Sequence, residues 1–225
     1  MTLKHNFFIL KSVEEFSKKI KCVVLDFDNT IAATEQYSWL AHNKSLEKYG
    51  VYLNSQCIKK YIGHPDNEIF AMIEQDFNIK IDYKTHYSER LNNYIDLILN
   101  SNLKPYCYIN DLLDLDLKFY ILSSNSEFAI RKILSHWGIE NKFEKVYSML
   151  DMNLKKSYVL ENSKTFFGFD QSEIVVFEDS PNTINLANSL GCETVYIDNG
   201  DNNLKCNYNF KIDVGSDYAK ESTRI

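Results

Sequence analysis

Two aspartates one residue apart, Asp26 and Asp28, end the apolar run Val23-Val24-Leu25 and lead into Asn29-Thr30. A short Val-rich run reads as a buried parallel strand, and carboxylates at its C-terminal end lie at the edge where open α/β sheets bind ligands. In extended chain, residues i and i+2 point to the same side, so both carboxylates suit one site. Like charges this close call for a shared proton or a cation, and a hard ion such as Mg²⁺ answers with oxygen ligands. The same residues also suit a plain strand end capped by an Asp-Asn turn.

Other polar groups fall at equivalent places. Ser123-Ser124-Asn125-Ser126 follows the apolar run Phe119-Tyr120-Ile121-Leu122, and Glu178-Asp179-Ser180 follows Ile174-Val175-Val176-Phe177. Lys155 and Lys156 stand at the start of a helix after the short strand Lys145-Val146-Tyr147. Taken singly, the serine run reads as a helix cap and the lysine pair as a solvated face. In a parallel sheet, however, every strand delivers its C-terminal end to one edge. Carboxylates, hydroxyls and an ammonium gathered there suit phosphoryl transfer, which needs a nucleophile, a hard cation and donors for the phosphoryl oxygens.

The elements that must position these groups follow from periodicity. Val13, Phe16 and Ile20 have helical spacing and predict a short helix leading into the first strand. After the aspartates the pattern turns helical for about seventy residues. Trp39, Leu46 and Tyr49 form one stripe, closed by Gly50; Ile69, Phe70, Ile73 and Phe77 form a second; Tyr87, Leu91, Tyr94, Ile95 and Ile98 form a third. Such stripes predict the core of a small helical bundle. From Pro105 the alternation resumes, with helices over 109–115, 128–137, 157–167 and 182–190, strands over 119–122, 145–147, 174–177 and 194–197, and a further strand over 209–214. The expected fold is α/β: a Rossmann-like parallel core from 1–33 and 104–225, interrupted by an all-helical insertion over 34–103.

Composition narrows the partners. The chain has 225 residues, 44% of them hydrophobic, and a formal charge of −6, so it is globular and offers no basic field for nucleic acid or anionic membrane. No apolar run approaches a membrane span, and the stretch from Met1 is too short in apolar residues for a secretory signal, so a cytoplasmic location is expected. Cys22, Cys57, Cys107, Cys192 and Cys206 are scattered and odd in number, which predicts buried thiols and neither disulfides nor a zinc site.

In order and kind these motifs resemble the haloacid dehalogenase superfamily. Asp26-Phe27-Asp28-Asn29-Thr30 is similar to its first motif, Ser124-Asn125 to its second, Lys156 or Lys155 to its third, and Glu178-Asp179-Ser180 to its fourth. The insertion falls where the helical C1 cap of that superfamily lies. Thr34-Glu35, Glu47-Lys48-Tyr49-Gly50, Tyr61-Ile62-Gly63 and Lys104-Pro105-Tyr106 further resemble the β-phosphoglucomutase-like branch.

The resemblance implies that Asp26 is the nucleophile, forming an aspartyl-phosphate, and that Asp28 is the general acid and then base. It implies that Ser124 and Lys156 hold the phosphoryl oxygens, and that Mg²⁺ is bound by Asp26, the Asp28 carbonyl and Asp179, with Glu178 acting through water. Asn125, Thr34, Glu35 and His64 are candidate substrate contacts, with Tyr37 and Asp66 beside them. Asp28 disfavours dehalogenation, because halide leaves without a proton. The mutases of the branch carry a cap histidine and arginine where Ser38 and Asp66 stand, and the absence of the phosphonatases' cap lysine disfavours phosphonate cleavage. The expected activity is thus hydrolysis of a small phosphomonoester, with a phosphosugar mutase as the alternative and a catalytically silent binding protein behind both. Oligomeric state is not readable.

Overall fold

A computed structural model describes residues 19–61, 66–200 and 206–215, with the side chains of 66 and 67 excepted. The helix expected over 13–20 and the candidate contact His64 lie outside the described residues, and so does the side chain of Asp66. The chain falls into two compact units, Met1–Ala33 with Leu103–Ile225, and Thr34–Asn102.

The first unit is built on a six-stranded parallel sheet. Its strands are β1 (Cys22–Leu25), β2 (Lys118–Ser123), β3 (Lys145–Ser148), β4 (Ile174–Glu178), β5 (Glu193–Asp198) and β6 (Phe210–Asp213), in the order β3-β2-β1-β4-β5-β6. This is the Rossmann-like α/β architecture expected from the sequence. Every residue of β1 and β4 is buried, because helices cover both faces and an alternating strand would bury polar groups. Chain order reverses at β1, which has β2 on one side and β4 on the other, so a crevice opens beyond their C-terminal ends.

The crossovers contain α5 (Cys107–Leu113), α6 (Glu127–His136), α7 (Met149–Met152), α8 (Lys156–Glu161), α9 (Ser163–Phe166) and α10 (Pro181–Ser189), while α1 (Glu35–Leu46), α2 (Ser55–Tyr61), α3 (Asp66–Phe77) and α4 (Tyr83–Leu99) belong to the second unit. On one face Val24, Leu122 and Val176 pack with Val159 and Leu160 of α8 and Ala187 of α10. A single helix was expected over 157–167, but the chain breaks it at Asn162. There the backbone leaves the helical region, and the Asn162 side chain donates to the carbonyl of Tyr158, competing with the helix ladder. The cysteines also divide: Cys22 and Cys192 are buried, whereas Cys107 is exposed, because it opens α5 on the side away from Tyr108 and Ile109.

In the second unit α1 (Glu35–Leu46) packs on α4 (Tyr83–Leu99), with α2 (Ser55–Tyr61) and α3 (Asp66–Phe77) completing the bundle. Leu46, Leu53, Tyr61, Ile69 and Ile73 form its core. The Asn43 amide clamps the backbone of Leu53, accepting from its N–H at 2.7 Å and donating to its carbonyl at 3.1 Å. The buried stripe of α4 differs from the one expected. It runs through His86, Arg90, Tyr94, Ile95 and Ile98, while Tyr87 and Leu91 are only half-buried. Aromatic neighbours admit the polar pair: the ring of Phe70 meets His86 edge-on at 4.7 Å, and Arg90 lies over Tyr87.

His42 and His86 are both buried with ring centroids 6.3 Å apart. Burial pushes the pKa of His42 well down, with Arg90 and His86 adding to the effect. Burial, then the charges of Lys48 and Arg90, hold His86 down to about 4, against a small opposing pull from Glu89. Both are therefore neutral when folded and protonate more readily when unfolded. For His86 this stabilisation is complete above the ordinary histidine pKa of about 6.5 and is lost as pH falls toward about 4, and His42 contributes in the same direction. Urea midpoints measured from pH 7.5 to pH 4.5 should fall steeply below pH 6.5 in the wild type and less steeply in His86→Gln. Equal slopes would contradict this account.

Candidate functional site

The register of the two central strands sets up the site. Leu25 pairs with Phe177, and the ladder continues one step further as the Asp26 N–H donates to the Phe177 carbonyl at 2.9 Å, bringing Asp26 beside Glu178. Both carboxylates are buried, at 8% and 2% exposure, which repulsion alone would forbid. Lys156 resolves the conflict. Its Nζ lies 2.8 Å from Asp26 Oδ1 and 2.7 Å from Glu178 Oε2. Burial alone would depress the lysine pKa, but the two carboxylate charges outweigh it and raise it above the ordinary value. For Glu178, burial and then the Asp26 charge push the pKa up, against the pull of Lys156.

Helix geometry selects the lysine. Lys156 opens α8, one turn before Val159 and Leu160, which are buried against the sheet, so its stem runs along the same face. Lys155 is the N-cap of that helix and is exposed. The structure thus brings Lys156, and not Lys155, to Asp26.

Asp28 is half-buried, and its Oδ2 accepts from Asn125 Nδ2 at 3.1 Å. Asn125 is itself tied down: its N–H donates to Ser123 Oγ at 3.1 Å, and its Oδ1 accepts from the Ser126 N–H at 2.8 Å. Between the aspartates and the return of the chain, Asn29 adopts φ 56°, a left-handed value that asparagine tolerates where most residues do not. The Ile31 N–H closes the turn onto the Phe27 carbonyl at 3.0 Å, and the Tyr108 hydroxyl donates to the Thr30 carbonyl. Ser124 is exposed just beyond β2, and Ser126, the N-cap of α6, makes no side-chain cap bond; Asp151 accepts from the Glu127 N–H instead.

A carboxylate oxygen from each of Asp26, Glu178 and Asp179 lies within 4.8 Å of the others. Oxygens that share one Mg²⁺ at about 2.0–2.1 Å stand no more than about 4 Å apart, so small side-chain adjustments would let this set close on a small hard cation. Asp26 Oδ1 supports the fit. It is buried and in ion-pair reach of Lys156, yet no donor is aligned with it. Glu178 is more fully engaged, its Oε1 accepting from the Ser180 N–H at 3.1 Å and its Oε2 from Lys156.

The remaining candidates lie in the helical unit. Thr34 is the buried N-cap of α1, its hydroxyl making no cap bond; Glu35 opens that helix, and Tyr37 is buried in its first turn. One neighbour of the site was overlooked in the sequence. Asn199 follows β5 at the same sheet edge and donates to Asp179 Oδ2 at 3.3 Å. The rule that singled out the residues after β1, β2 and β4 applies equally to β5 and would have found it.

Comparisons with known proteins bear on the family and the fold. The family model described as haloacid dehalogenase-like hydrolase matches residues 23–197. A Bacillus subtilis (strain 168) protein named "Putative phosphatase YhcW" is 25% identical over 187 residues, 80% of this chain and 84% of that protein. Among solved structures, β-phosphoglucomutase from Clostridium difficile superposes with a TM-score of 0.69 at 20% identity, covering 91% of this chain and 100% of that one. YfnB from Bacillus subtilis, solved bound to magnesium, gives 0.68 at 14% identity, covering 91% and 99%.

Removing Lys156 should leave two buried carboxylates unneutralised. At pH 8 in EDTA, Lys156→Ala is expected to destabilise by about 3–5 kcal/mol, on the order of 10 °C in Tm. Lys155→Ala should stay within about 0.5 kcal/mol of wild type. Thermal melts of the two variants check the assignment, and equal losses would refute it.

Proposed function

The chain belongs to the haloacid dehalogenase-like hydrolase family, and on that premise we propose that it is a Mg²⁺-dependent phosphatase. Its substrate on this reading is a small phosphomonoester such as a sugar phosphate, hydrolysed through an aspartyl-phosphate. The observation that carries the reading is the cluster of Asp26, Lys156, Glu178 and Asp179 at the ends of β1 and β4, with Asp28 held beside it by Asn125.

A carboxylate oxygen of Asp26 attacks phosphorus, and the bond from phosphorus to the ester oxygen breaks. Asp28 delivers its proton to the departing oxygen. Water then attacks the phosphorus of the aspartyl-phosphate, Asp28 takes the water's proton, and inorganic phosphate leaves with Asp26 restored. Its half-buried position suits Asp28 to this exchange, since it must reach both the leaving group and water. On this reading Lys156, 2.8 Å from Asp26 Oδ1, and the exposed Ser124 meet the phosphoryl oxygens. Asp26, Asp179 and the Asp28 carbonyl would hold Mg²⁺, with Glu178 acting through water; when bound, the ion offsets the charge of the carboxylates and of the phosphoryl group.

The name of the Bacillus relative favours a phosphatase, and Asp28 favours an ester over a haloacid. Fold likeness to β-phosphoglucomutase supports the second reading, a phosphosugar mutase. Ser38 and Asp66 stand where the mutases carry histidine and arginine, and an Asp there would repel a second phosphate. The proposal also takes in a cytoplasmic location, which suits five cysteines that are odd in number and scattered along the chain.

A screen for phosphate release across sugar phosphates, nucleoside monophosphates and other small phosphomonoesters tests the proposal. Turnover should require Mg²⁺, vanish in Asp26→Asn and fall by about 10²–10⁴ in Asp28→Asn. Isomerisation stimulated by a sugar bisphosphate, without phosphate release, would favour the mutase. Full activity in Asp26→Asn would refute both.

A further inference from the structure

Asn199 is not among the residues that the four motifs account for, yet it touches one of them. It lies one residue past β5 at 5% exposure, and its Nδ2 donates to Asp179 Oδ2 at 3.3 Å. We propose that Asn199 is a positioning residue for the metal site: its amide holds the Asp179 carboxylate in the orientation that keeps an oxygen within 4.8 Å of Asp26 and Glu178. The inference rests on the Mg²⁺ reading above and concerns how the site is kept assembled.

Three carboxylates converging on one point repel each other, and Asp179, at a strand end, is the least buried of the three. A neutral amide donor restrains it without adding charge. A lysine at position 199 would restrain it too, but would compete with a cation for the same oxygens.

The mount of Asn199 is itself braced. Asp198 accepts from the Gly200 N–H at 3.0 Å through Oδ1 and pairs with Lys211 of β6 at 2.9 Å through Oδ2. The Asp198 carbonyl accepts from the Val214 N–H at 2.9 Å, and Gly200 takes φ 85°, turning the chain sharply after Asn199. The outermost strand pair therefore fixes the backbone from which the amide reaches back to β4. Groups that orient metal ligands in this way commonly change affinity by about 10–100-fold when removed.

The test is Mg²⁺ binding by calorimetry on wild type, Asn199→Ala, Asn199→Leu and Asn199→Gln, with Tm in EDTA measured alongside. The leucine variant keeps the volume and removes the donor. We expect Kd to weaken at least tenfold in the alanine and leucine variants, with the EDTA melting temperature close to wild type, and to be partly restored in the glutamine variant. An assigned amide spectrum of the wild type supplies a reading that needs no variant to fold: the Asn199 side-chain NH₂ signals should shift on Mg²⁺ titration with the same Kd. Mg²⁺ affinity within twofold of wild type in the folded variants, or unmoved Asn199 signals, would overturn the inference alone. Wild-type protein that binds no Mg²⁺ would overturn the metal reading with it.

Discussion

Asp26 and Glu178 lie side by side at the ends of adjacent parallel strands, and a single ammonium, Lys156, allows them to be buried there. Removing two carboxylates from water is costly, and the cost is met only with a partner of opposite charge at close range. That requirement ties together parts of the chain far apart in sequence. β1 must neighbour β4, the helix carrying Lys156 must begin at the same edge, and the hydrophobic face behind that helix must be tight enough to hold it in register.

The packing supplies those conditions. Val24 and Val176, on neighbouring strands, meet Val159 and Leu160, so the residues that make the core also aim the lysine. Reversal of strand order at β1 leaves its C-terminal end open between β2 and β4. Asp28, on the β2 side, is held by Asn125, while Asp26 is held on the β4 side by backbone and lysine. Two aspartates of the same chemistry thus acquire different surroundings: one is buried against a cation, the other half-exposed on an amide. The proposed division into nucleophile and proton carrier builds on that difference.

The sheet and its edge were legible in the sequence because Val- and Ile-rich runs ending in polar residues admit few other arrangements. The strand ends could be compared before any of their side chains was placed. Less legible were features decided by tertiary context. His86 and Arg90 occupy the buried stripe of α4, where hydrophobicity pointed to Tyr87 and Leu91, because aromatic rings can surround a neutral imidazole and a guanidinium. Asn162 breaks an apparently continuous helix through a local side-chain bond. Lys155 and Lys156 are indistinguishable by type, and only the helical register separates them. Asn199 stands at a strand end that the same rule covers, but its role shows only once Asp179 is seen opposite, since an asparagine after a strand also reads as a turn residue.

The central claim is that Asp26 becomes covalently phosphorylated during turnover. Once the screen identifies a substrate, rapid acid quench followed by peptide mass spectrometry tests this most directly. The account predicts a phosphoryl group on the peptide containing Asp26 early in turnover, absent in Asp26→Asn and longer-lived in Asp28→Asn. An active wild-type enzyme whose phosphoryl group accumulates on another residue, or persists on the same peptide in Asp26→Asn, would contradict it.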